Sequence, residues 1–294
     1  MIPTGTEPTQ IAWGVRSATA PLRDVLVQRP GAAFGRAFDD PAHGFLWPCD
    51  LDAARREHDG LVAVLDELGV RVHQLDAEPE RDPDLVYVFD PLLVTADGAV
   101  PLRPGKPNRV DEPAILADWL ATRGVPIAGR IDAPGTVEAG DTIWLREDLF
   151  VIGRTLRTND RGARQLARIV GGDVRIVDVP YWRGPSELVH LMSVISPISD
   201  ALAVVFLPLL PAGLYEWLGD LGIGLIEVPE EEYPTLGCNV LAVRPGVVVV
   251  AEGNPVTRRR LEAGGVEVHA IPLREIGENG SGGVTCLTRP LRRG

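Results

Sequence analysis

The sequence is poor in the residues that build metal clusters, disulfide frameworks and nucleic-acid surfaces. Its three cysteines, Cys49, Cys238 and Cys286, form no CxxC pair, and its five histidines show neither HxxxH nor HxH spacing. A structural zinc site or a disulfide framework is therefore not expected. Lys106 is the only lysine, and the net charge of −12 argues against sequence-independent binding to nucleic acid or to an anionic membrane.

Long apolar runs and nucleotide-binding motifs are also missing. No stretch reaches the roughly 18 to 20 apolar residues that cross a bilayer. Residues 1–13 carry no basic residue ahead of an apolar stretch, as a secretory signal would, so we expect a cytoplasmic protein. The patterns GxGxxG, GxxxxGK[ST] and GxSxG do not occur, which leaves nucleotide binding and the usual serine-hydrolase chemistry without support.

What the chain does contain is a pattern that recurs five times. In each copy an amphipathic helical stretch runs into a glycine, and a short β-branched segment follows at once. A glycine suits the left-handed cap of a helix, and the apolar segment after it suits a buried strand. The copies are Leu61 to Leu75, Ile115 to Ile127, Ala163 to Val179, Leu214 to Val228 and Arg258 to Ile271.

The spacing of the capping glycines indicates the architecture. Gly69, Gly124, Gly172, Gly222 and Gly265 are separated by 55, 48, 50 and 43 residues, with further strand-like runs between the copies. A strand-strand-helix-strand unit repeated about five times favours a closed, pseudo-symmetric ring of the α/β class, with an open α/β sheet as the alternative. No linker divides the chain, so residues 1–294 are expected to form one domain.

Several polar side chains stand inside or beside apolar runs. Asp90 ends the strand-like run DLVYVFD, where it either needs a buried cation or starts a turn with Pro91. Glu138 and Asp141 lie three residues apart before another strand, a spacing that suits a tight acidic loop or a solvated turn. His190 lies among apolar residues and is either a hydrogen-bonded core histidine or an acid/base group oriented by a carboxylate.

The most suggestive segment is GENGSGGVTC, a glycine-rich loop that leads directly to Cys286. Glycines let the backbone approach a ligand closely and place N–H groups around a reacting atom. Cys238, in the apolar run GCNVLAV, is instead typical of a core residue. Arg103 and Arg157 lie in turn-rich segments, where arginines are either solvated or form a bidentate clamp for a carboxylate.

In their order along nearly the whole chain, these segments resemble the guanidino-group modifying superfamily, which includes arginine deiminases, dimethylarginine dimethylaminohydrolases and amidinotransferases. The similar segments include LRDVLVQRPG, VYVFDPLLV, VPLRPGKPNR, VEAGD, IGRTLRTNDRGA and GGVTCLTRPL. The superfamily fold is a five-bladed α/β propeller, in agreement with the five repeats. The resemblance implies no metal and no organic cofactor. Because dimers are common in the superfamily, a homodimer is one assembly to expect.

The resemblance also implies a role for each matching residue. Cys286 matches the nucleophile, His190 matches the acid/base group, and Glu138 matches the carboxylate that orients the histidine. The implied substrate is a small guanidino compound with a carboxylate, cut at its guanidinium C–N bond through a covalent intermediate on the cysteine. The matching substrate-binding residues are Asp90, which binds the guanidinium, Asp141, at the end of the VEAGD segment, and Arg103 and Arg157, which hold the carboxylate.

The chain departs from the superfamily pattern at three positions. Ala139 replaces a usual glycine, Phe89 stands where dimethylarginine enzymes tend to have a glutamate, and Met192 stands where arginine deiminases have a second aspartate. The loss of that aspartate weakens the case for plain arginine, because each terminal nitrogen of a guanidinium wants an acceptor. A methylated guanidine needs more apolar wall, which Phe89 and Met192 could supply.

Hydrolysis of dimethylarginine to citrulline and dimethylamine is therefore the first expectation. Arginine deimination and amidino transfer stay open, because the glycine-rich approach to Cys286 looks closer to that of the deiminases. Two alternatives belong to other classes: a ligand-binding relic of the fold and an unrelated cysteine hydrolase that acts on amides. The segment Arg36 to Cys49 is a candidate lid over the substrate.

Overall fold

A computed structural model of the chain describes residues 10–75, 82–184 and 189–294. Helices and strands alternate along these residues. The helices are α1 (Leu51–Glu67), α2 (Glu112–Ala121), α3 (Asp160–Val170), α4 (Ala212–Asp220) and α5 (Pro255–Ala263). The strands are β1 (Leu22–Val27), β2 (Arg71–Gln74), β3 (Leu92–Val94), β4 (Ala99–Pro101), β5 (Thr142–Arg146), β6 (Leu149–Arg154), β7 (Asp173–Asp178), β8 (Ile195–Ser199), β9 (Leu202–Val205), β10 (Gly224–Glu227), β11 (Leu241–Arg244), β12 (Val247–Ala251), β13 (Glu267–Ile271) and β14 (Arg289–Arg293).

These strands form five small sheets that follow one plan. In β5-β6-β7, an inner strand pairs antiparallel with a middle strand, which pairs parallel with an outer strand reached through a helix. The sheets β8-β9-β10, β11-β12-β13 and β14-β1-β2 repeat this order. In the sheet β3-β4, Ile127 takes the place of the outer strand through a parallel bridge to Ala99. The arrangement is the predicted five-bladed α/β propeller rather than an open sheet.

The ring is closed by the sheet that joins the two ends of the described chain. Leu22 of β1 pairs with Arg293 of β14, and Leu26 pairs with Arg289. Because the inner strand of this sheet comes from the end of the sequence and its other strands from the beginning, the five sheets are held in a ring by backbone hydrogen bonds.

Each helix ends where the sequence predicts. The capping glycines Gly69, Gly124, Gly172, Gly222 and Gly265 all have left-handed φ values, between 68° and 85°. Glycine adopts this conformation without the steric cost of a Cβ, so the chain can reverse directly into the outer strand of the same sheet. Four of the five predicted helix-glycine-strand units are confirmed; in the unit Ile115 to Ile127 the segment after Gly124 forms only the single bridge between Ile127 and Ala99.

Apolar side chains fill the layers between helices and sheets, among them the fully buried Phe150, Phe206 and Leu166. This packing fixes the inner strands, and their first residues form one end of the ring. Among the described residues, no helix has both the length and the apolar character needed to cross a membrane.

Candidate active site

The residues just ahead of the five inner strands gather around the ring axis. Asp90 precedes β3, Asp141 precedes β5, Asn239 precedes β11 and Cys286 precedes β14, while His190 begins the short turn that leads into β8. One repeated unit therefore places five polar side chains at equivalent positions. This geometry explains why residues almost two hundred positions apart in sequence meet.

Five of the seven site residues predicted from the sequence line one pocket of about 550 Å³ at this end of the ring. That volume lies within the range of small-molecule sites, roughly 300 to 1,000 Å³. The structure does not bring Arg103 or Asp141 into its lining. The five predicted residues in the lining are Asp90, Glu138, Arg157, His190 and Cys286.

Glu138 is the best-anchored group of the pocket. Its side chain is completely buried, and its Oε2 lies 3.0 Å from His190 Nε2. The other oxygen, Oε1, accepts hydrogen bonds from the backbone N–H groups of Gly105 and Lys106 and from Arg157 Nη1. Burial opposes ionisation, but the hydrogen bond to His190 and the charges of His190 and Arg157 hold the pKa of Glu138 well below its usual range.

His190 is held as an imidazolium by the acids around it. Burial disfavours its charged form, but the charge of Asp141, the hydrogen bond to Glu138 and the charge of Asp90 outweigh burial and raise the pKa of His190 to about 9. The ring is therefore protonated at neutral pH. With Nε2 directed at Glu138, the imidazolium carries a second proton on Nδ1. Such a group is ready to act first as an acid.

Cys286 lies partly exposed in the pocket as a neutral thiol. Burial and the charge of Asp90 raise the pKa of Cys286 to about 11. Asn239 Nδ2 lies 3.5 Å from Cys286 Sγ, and Asn239 Oδ1 accepts hydrogen bonds from the N–H and hydroxyl of Thr285. A cation bound beside Asp90 would compensate the carboxylate and lower the thiol pKa.

Asp90 is fixed by two donors. Its Oδ2 accepts a hydrogen bond of 2.7 Å from Arg109 Nη1, and its Oδ1 accepts one from the N–H of Gly140. Because Arg109 also binds Glu112, its single positive charge is shared between two carboxylates. Each oxygen of Asp90 accepts one of these hydrogen bonds and can accept another. Asp90 thus keeps the capacity to bind a further cation.

Gly140 shows why the VEAGD segment needs a glycine as its fourth residue. A Cβ at this position would lie 2.7 Å from His190 Nδ1 and 2.9 Å from Asp90 Oδ1. Both distances are too short for a methyl group, so a side chain here would push apart the imidazole and the carboxylate. The alanine at position 139, by contrast, is accommodated in a buried position.

The two predicted residues outside the lining have other partners. Asp141 is fully buried, and it accepts hydrogen bonds from the Leu191 N–H and the Thr155 hydroxyl. Burial raises the pKa of Asp141 to about 6. Arg103 donates to the carbonyl of Gly135. Direct contact of either residue with a substrate therefore stays a prediction, and the contacts of Asp141 indicate that it positions the segment after His190.

Sequence reasoning missed several polar residues of the pocket, among them Lys106, Arg109 and Asn239. Arg109 and Glu112 stand three apart at the start of a helix, which is a recognisable ion-pair spacing. Asn239 follows the core residue Cys238, and nothing in its local sequence sets it apart.

Phe89 and Met192 do not line the pocket that contains Cys286. Both line a second, smaller cavity on the ring axis. The apolar wall expected of them next to the guanidinium is therefore not found in the pocket lining.

One cluster of the described residues has the spacing of a metal site. Ligand atoms of Asp90, Glu138 and His190 all lie within 4.8 Å of one another. Both carboxylates already bind arginines, Arg109 and Arg157, and the imidazole is protonated at neutral pH. Metal ligands must be deprotonated, so the cluster suits an organic cation with N–H donors better than a metal ion.

The candidate lid lies at the rim of the pocket. His43, Gly44 and Leu46 line the opening, and the Leu46 side chain is 61% exposed. The N–H groups of Leu46 and Trp47 both donate to Asn279 Oδ1, which anchors the end of the segment. Closure over a substrate stays a prediction.

Comparison with known proteins places this geometry in a family. The chain is 31% identical over 249 residues to the dimethylarginine dimethylaminohydrolase of Pseudomonas aeruginosa, covering 81% of this chain and 89% of that protein. The chain belongs to the dimethylarginine dimethylaminohydrolase family of guanidino-group modifying enzymes. A second protein of that name, from Streptomyces coelicolor, is 28% identical and covers 92% of this chain and 98% of its own.

Other comparisons agree with this family. A solved structure of the Pseudomonas aeruginosa enzyme, a variant complexed with citrulline, superposes with a TM-score of 0.76 at 27% identity and covers 92% of this chain and 99% of that one. The family model for arginine deiminase matches residues 207–293. The N-terminal domain of ArgZ has a TM-score of 0.78 at 19% identity over 92% of this chain and 98% of its own, which supports the fold alone.

Proposed function

We propose that this protein hydrolyses the guanidinium C–N bond of dimethylarginine, releasing citrulline and dimethylamine. The observation that carries the proposal is the 3.0 Å contact between His190 and the buried Glu138 in the pocket that also contains Cys286 and Asp90. The name of the Pseudomonas aeruginosa relative and the citrulline bound in its structure support this choice of substrate.

The first half of the reaction makes a covalent intermediate. The substrate guanidinium binds Asp90, and its positive charge lowers the pKa of the Cys286 thiol, which loses its proton to solvent. The thiolate attacks the guanidinium carbon. His190 then protonates the dimethylamino nitrogen, the C–N bond breaks, and dimethylamine leaves an amidino group bonded to sulfur.

The second half consumes one water molecule. His190, now neutral, accepts a proton from water as the water oxygen attacks the same carbon. The C–S bond breaks, the thiolate leaves, the remaining hydroxyl proton is lost to solvent, and the carbon becomes the ureido carbon of citrulline. Glu138 keeps the imidazole in one orientation through both steps and stabilises its charged form. The chemistry uses side chains alone.

The substrate carboxylate needs a cation at the pocket wall. Arg157 lines the pocket and uses only Nη1 for Glu138, so its remaining N–H groups can hold the carboxylate. Lys106 also lines the pocket, but its ammonium group already forms an ion pair with Asp84. Arg103, the other residue proposed for this role, would need to turn away from Gly135 to reach the pocket.

Arginine deimination is the second candidate, favoured by the match of residues 207–293 to the arginine deiminase family model. It would release ammonia instead of dimethylamine. The names of the relatives from Pseudomonas aeruginosa and Streptomyces coelicolor, which match over most of their length, favour the methylated substrate.

Incubation with a panel of guanidino compounds tests the proposal. The panel contains arginine, mono- and dimethylarginine, agmatine and guanidino acids, and products are detected by mass spectrometry. We expect fastest turnover of dimethylarginine to citrulline and dimethylamine, and no turnover by Cys286→Ser. The matched control is Cys49→Ser, which alters a thiol outside the pocket lining and should keep activity.

The possible results separate the candidates. Faster turnover of plain arginine would replace dimethylarginine hydrolysis with deimination. Turnover that survives in Cys286→Ser would remove the cysteine mechanism altogether.

A further inference from the structure

A second cavity lies on the ring axis, and every sheet contributes to its wall. The inner strands supply Leu93, Trp144, Pro197, Ala242 and Arg293, one residue from each of β3, β5, β8, β11 and β14. The cavity has a volume of about 60 Å³. A water needs roughly 10 to 15 Å³ on the same measure, so the cavity holds a small ion or a few waters but no amino acid. We call it the axial cavity.

Two arginines line the axial cavity, Arg289 buried and Arg293 partly exposed, and neither forms an ion pair with a carboxylate of the described residues. Arg289 is 3% exposed, and its guanidinium carbon lies 3.7 Å from the centre of the Phe89 ring. Among the described residues, its Nη2 donates to the Phe89 carbonyl and its Nε has no hydrogen-bond partner. Arg293 donates to the carbonyls of Ala20 and Ala242.

The positive charge of these two side chains is compensated only in part. Burial lowers the pKa of Arg289 and of Arg293 to about 9; the charge of Asp90 opposes this shift at Arg289, and the charge of Arg293 adds to it. Both groups are still protonated at neutral pH. Arg109, equally buried, binds two carboxylates. A buried charge without a counter-ion is costly, and carbonyl acceptors supply only dipoles.

Trp144 adds a further donor. Its indole Nε1 is buried without a hydrogen-bond partner among the described residues, and its ring lines the cavity. Most of the remaining wall is apolar, including Phe89, Leu93 and Val240. Apolar walls favour ions that shed water easily, and a guanidinium is itself weakly hydrated.

We infer that the axial cavity binds one small monovalent anion against Arg289, with Arg293 as the second positive charge. Weakly hydrated anions such as nitrate and bromide bind more tightly there than chloride. The site is separate from the pocket that contains Cys286, although Phe89 connects the two: its carbonyl accepts from Arg289, and its N–H donates to the Cys286 carbonyl. The inference does not depend on the substrate.

Thermal unfolding at constant sodium concentration tests the anion site. Sodium gluconate, whose anion is too large for the cavity, is replaced stepwise by sodium nitrate or sodium chloride. As nitrate or chloride replaces gluconate, the Tm of the wild type should rise and then level off. We expect this rise to exceed that of Arg289→Met by roughly 2 to 4 °C. Methionine keeps an apolar side chain over Phe89, and removal of an unpaired buried charge should not lower Tm in gluconate. Arg258→Met, which removes an exposed arginine paired with Glu262, is the matched control and should respond like the wild type.

Diffraction gives a second readout that does not need the variant to fold. Wild-type crystals grown in sodium bromide should show an anomalous peak in the axial cavity within hydrogen-bonding distance of Arg289. Absence of this peak would overturn the inference, as would equal Tm responses of the wild type and Arg289→Met.

Discussion

Buried charges occur at two places along the ring axis: at one they form ion pairs, and at the other they do not. At the catalytic end, Asp90 and Glu138 each lie within 3.0 Å of an arginine, Arg109 and Arg157 respectively. In the axial cavity, Arg289 contacts a carbonyl and an aromatic ring and has no ion pair with any carboxylate in the described part of the chain. The two places belong to the same five strands, so the difference comes from side chains and not from the backbone.

The difference indicates which ligand each place suits. At the catalytic end Asp90 and Glu112 share the single guanidinium of Arg109, so the oxygens of Asp90 can accept further hydrogen bonds. Carboxylate oxygens that can accept further hydrogen bonds suit a cation with several N–H donors, whereas a guanidinium without an ion pair suits an anion. Removing one partner of an ion pair at the catalytic end should therefore lower the free energy of unfolding, whereas removing Arg289 should not.

The largest expected effect comes from removing the acid behind the histidine. Glu138→Gln keeps the shape of the side chain but removes the charge that holds His190 protonated. We expect kcat to fall roughly 10²- to 10⁴-fold, the range of general acid catalysis. The alkaline limb of the kcat profile should also move from about pH 9 towards lower pH, because the pKa of His190 falls. Steady-state kinetics from pH 6 to 10 measure both effects.

Glu147→Gln is the matched control, since Glu147 is exposed in the turn between β5 and β6. It should change neither kcat nor the pH profile. If Glu138→Gln lost activity without moving the alkaline limb, Glu138 would be a structural residue rather than the partner that charges His190.

Much of the ring could be predicted from sequence because its repeat is local. Each helix ends at a glycine such as Gly69 or Gly265, and this conformational requirement is visible in the sequence. The pairing of β14 with β1 was not visible locally, because it joins residues about 270 positions apart. The five repeats favoured a closed ring over an open sheet, and the resemblance added that the ring is a five-bladed propeller.

The site was predicted less completely than the fold. Cys286, His190, Glu138 and Asp90 stand out as polar residues beside apolar runs, and the structure brings them into one pocket. Arg109 was missed because its importance comes from contacts with Asp90 across the fold. The sequence also did not separate Phe89 from the pocket, because the direction of a side chain at a strand end depends on the neighbouring sheets.

The next effect concerns the reactivity of Cys286. Asp90→Asn removes the charge that raises the thiol pKa and also the anchor for a cation. We expect neutral chloroacetamide to alkylate Cys286 faster and cationic chloroacetamidine to alkylate it more slowly. The chloroacetamidine rate divided by the chloroacetamide rate should therefore fall by about tenfold or more, because lowering the thiol pKa by one unit raises the thiolate fraction about tenfold. Mass spectrometry of the labelled cysteine at pH 8 measures the ratio.

Asp97→Asn, in the exposed turn between β3 and β4, is the control for that substitution and should leave the ratio unchanged. Equal changes of both rates in Asp90→Asn would mean that Asp90 affects access to the thiol and not its charge environment.

The smallest expected effect is on stability. The folded-state pKa of His190, about 9, lies above its ordinary value of 6.5, so the stabilisation from its protonation is fully present below pH 6.5. It is lost as the pH rises through about 9. Urea unfolding should show wild type exceeding Glu138→Gln by about 1 to 2 kcal/mol at pH 6, with the difference shrinking by pH 9.5. A difference that grows with pH would show that His190 is neutral in the folded protein, and the acid role assigned to it would have to pass to another group.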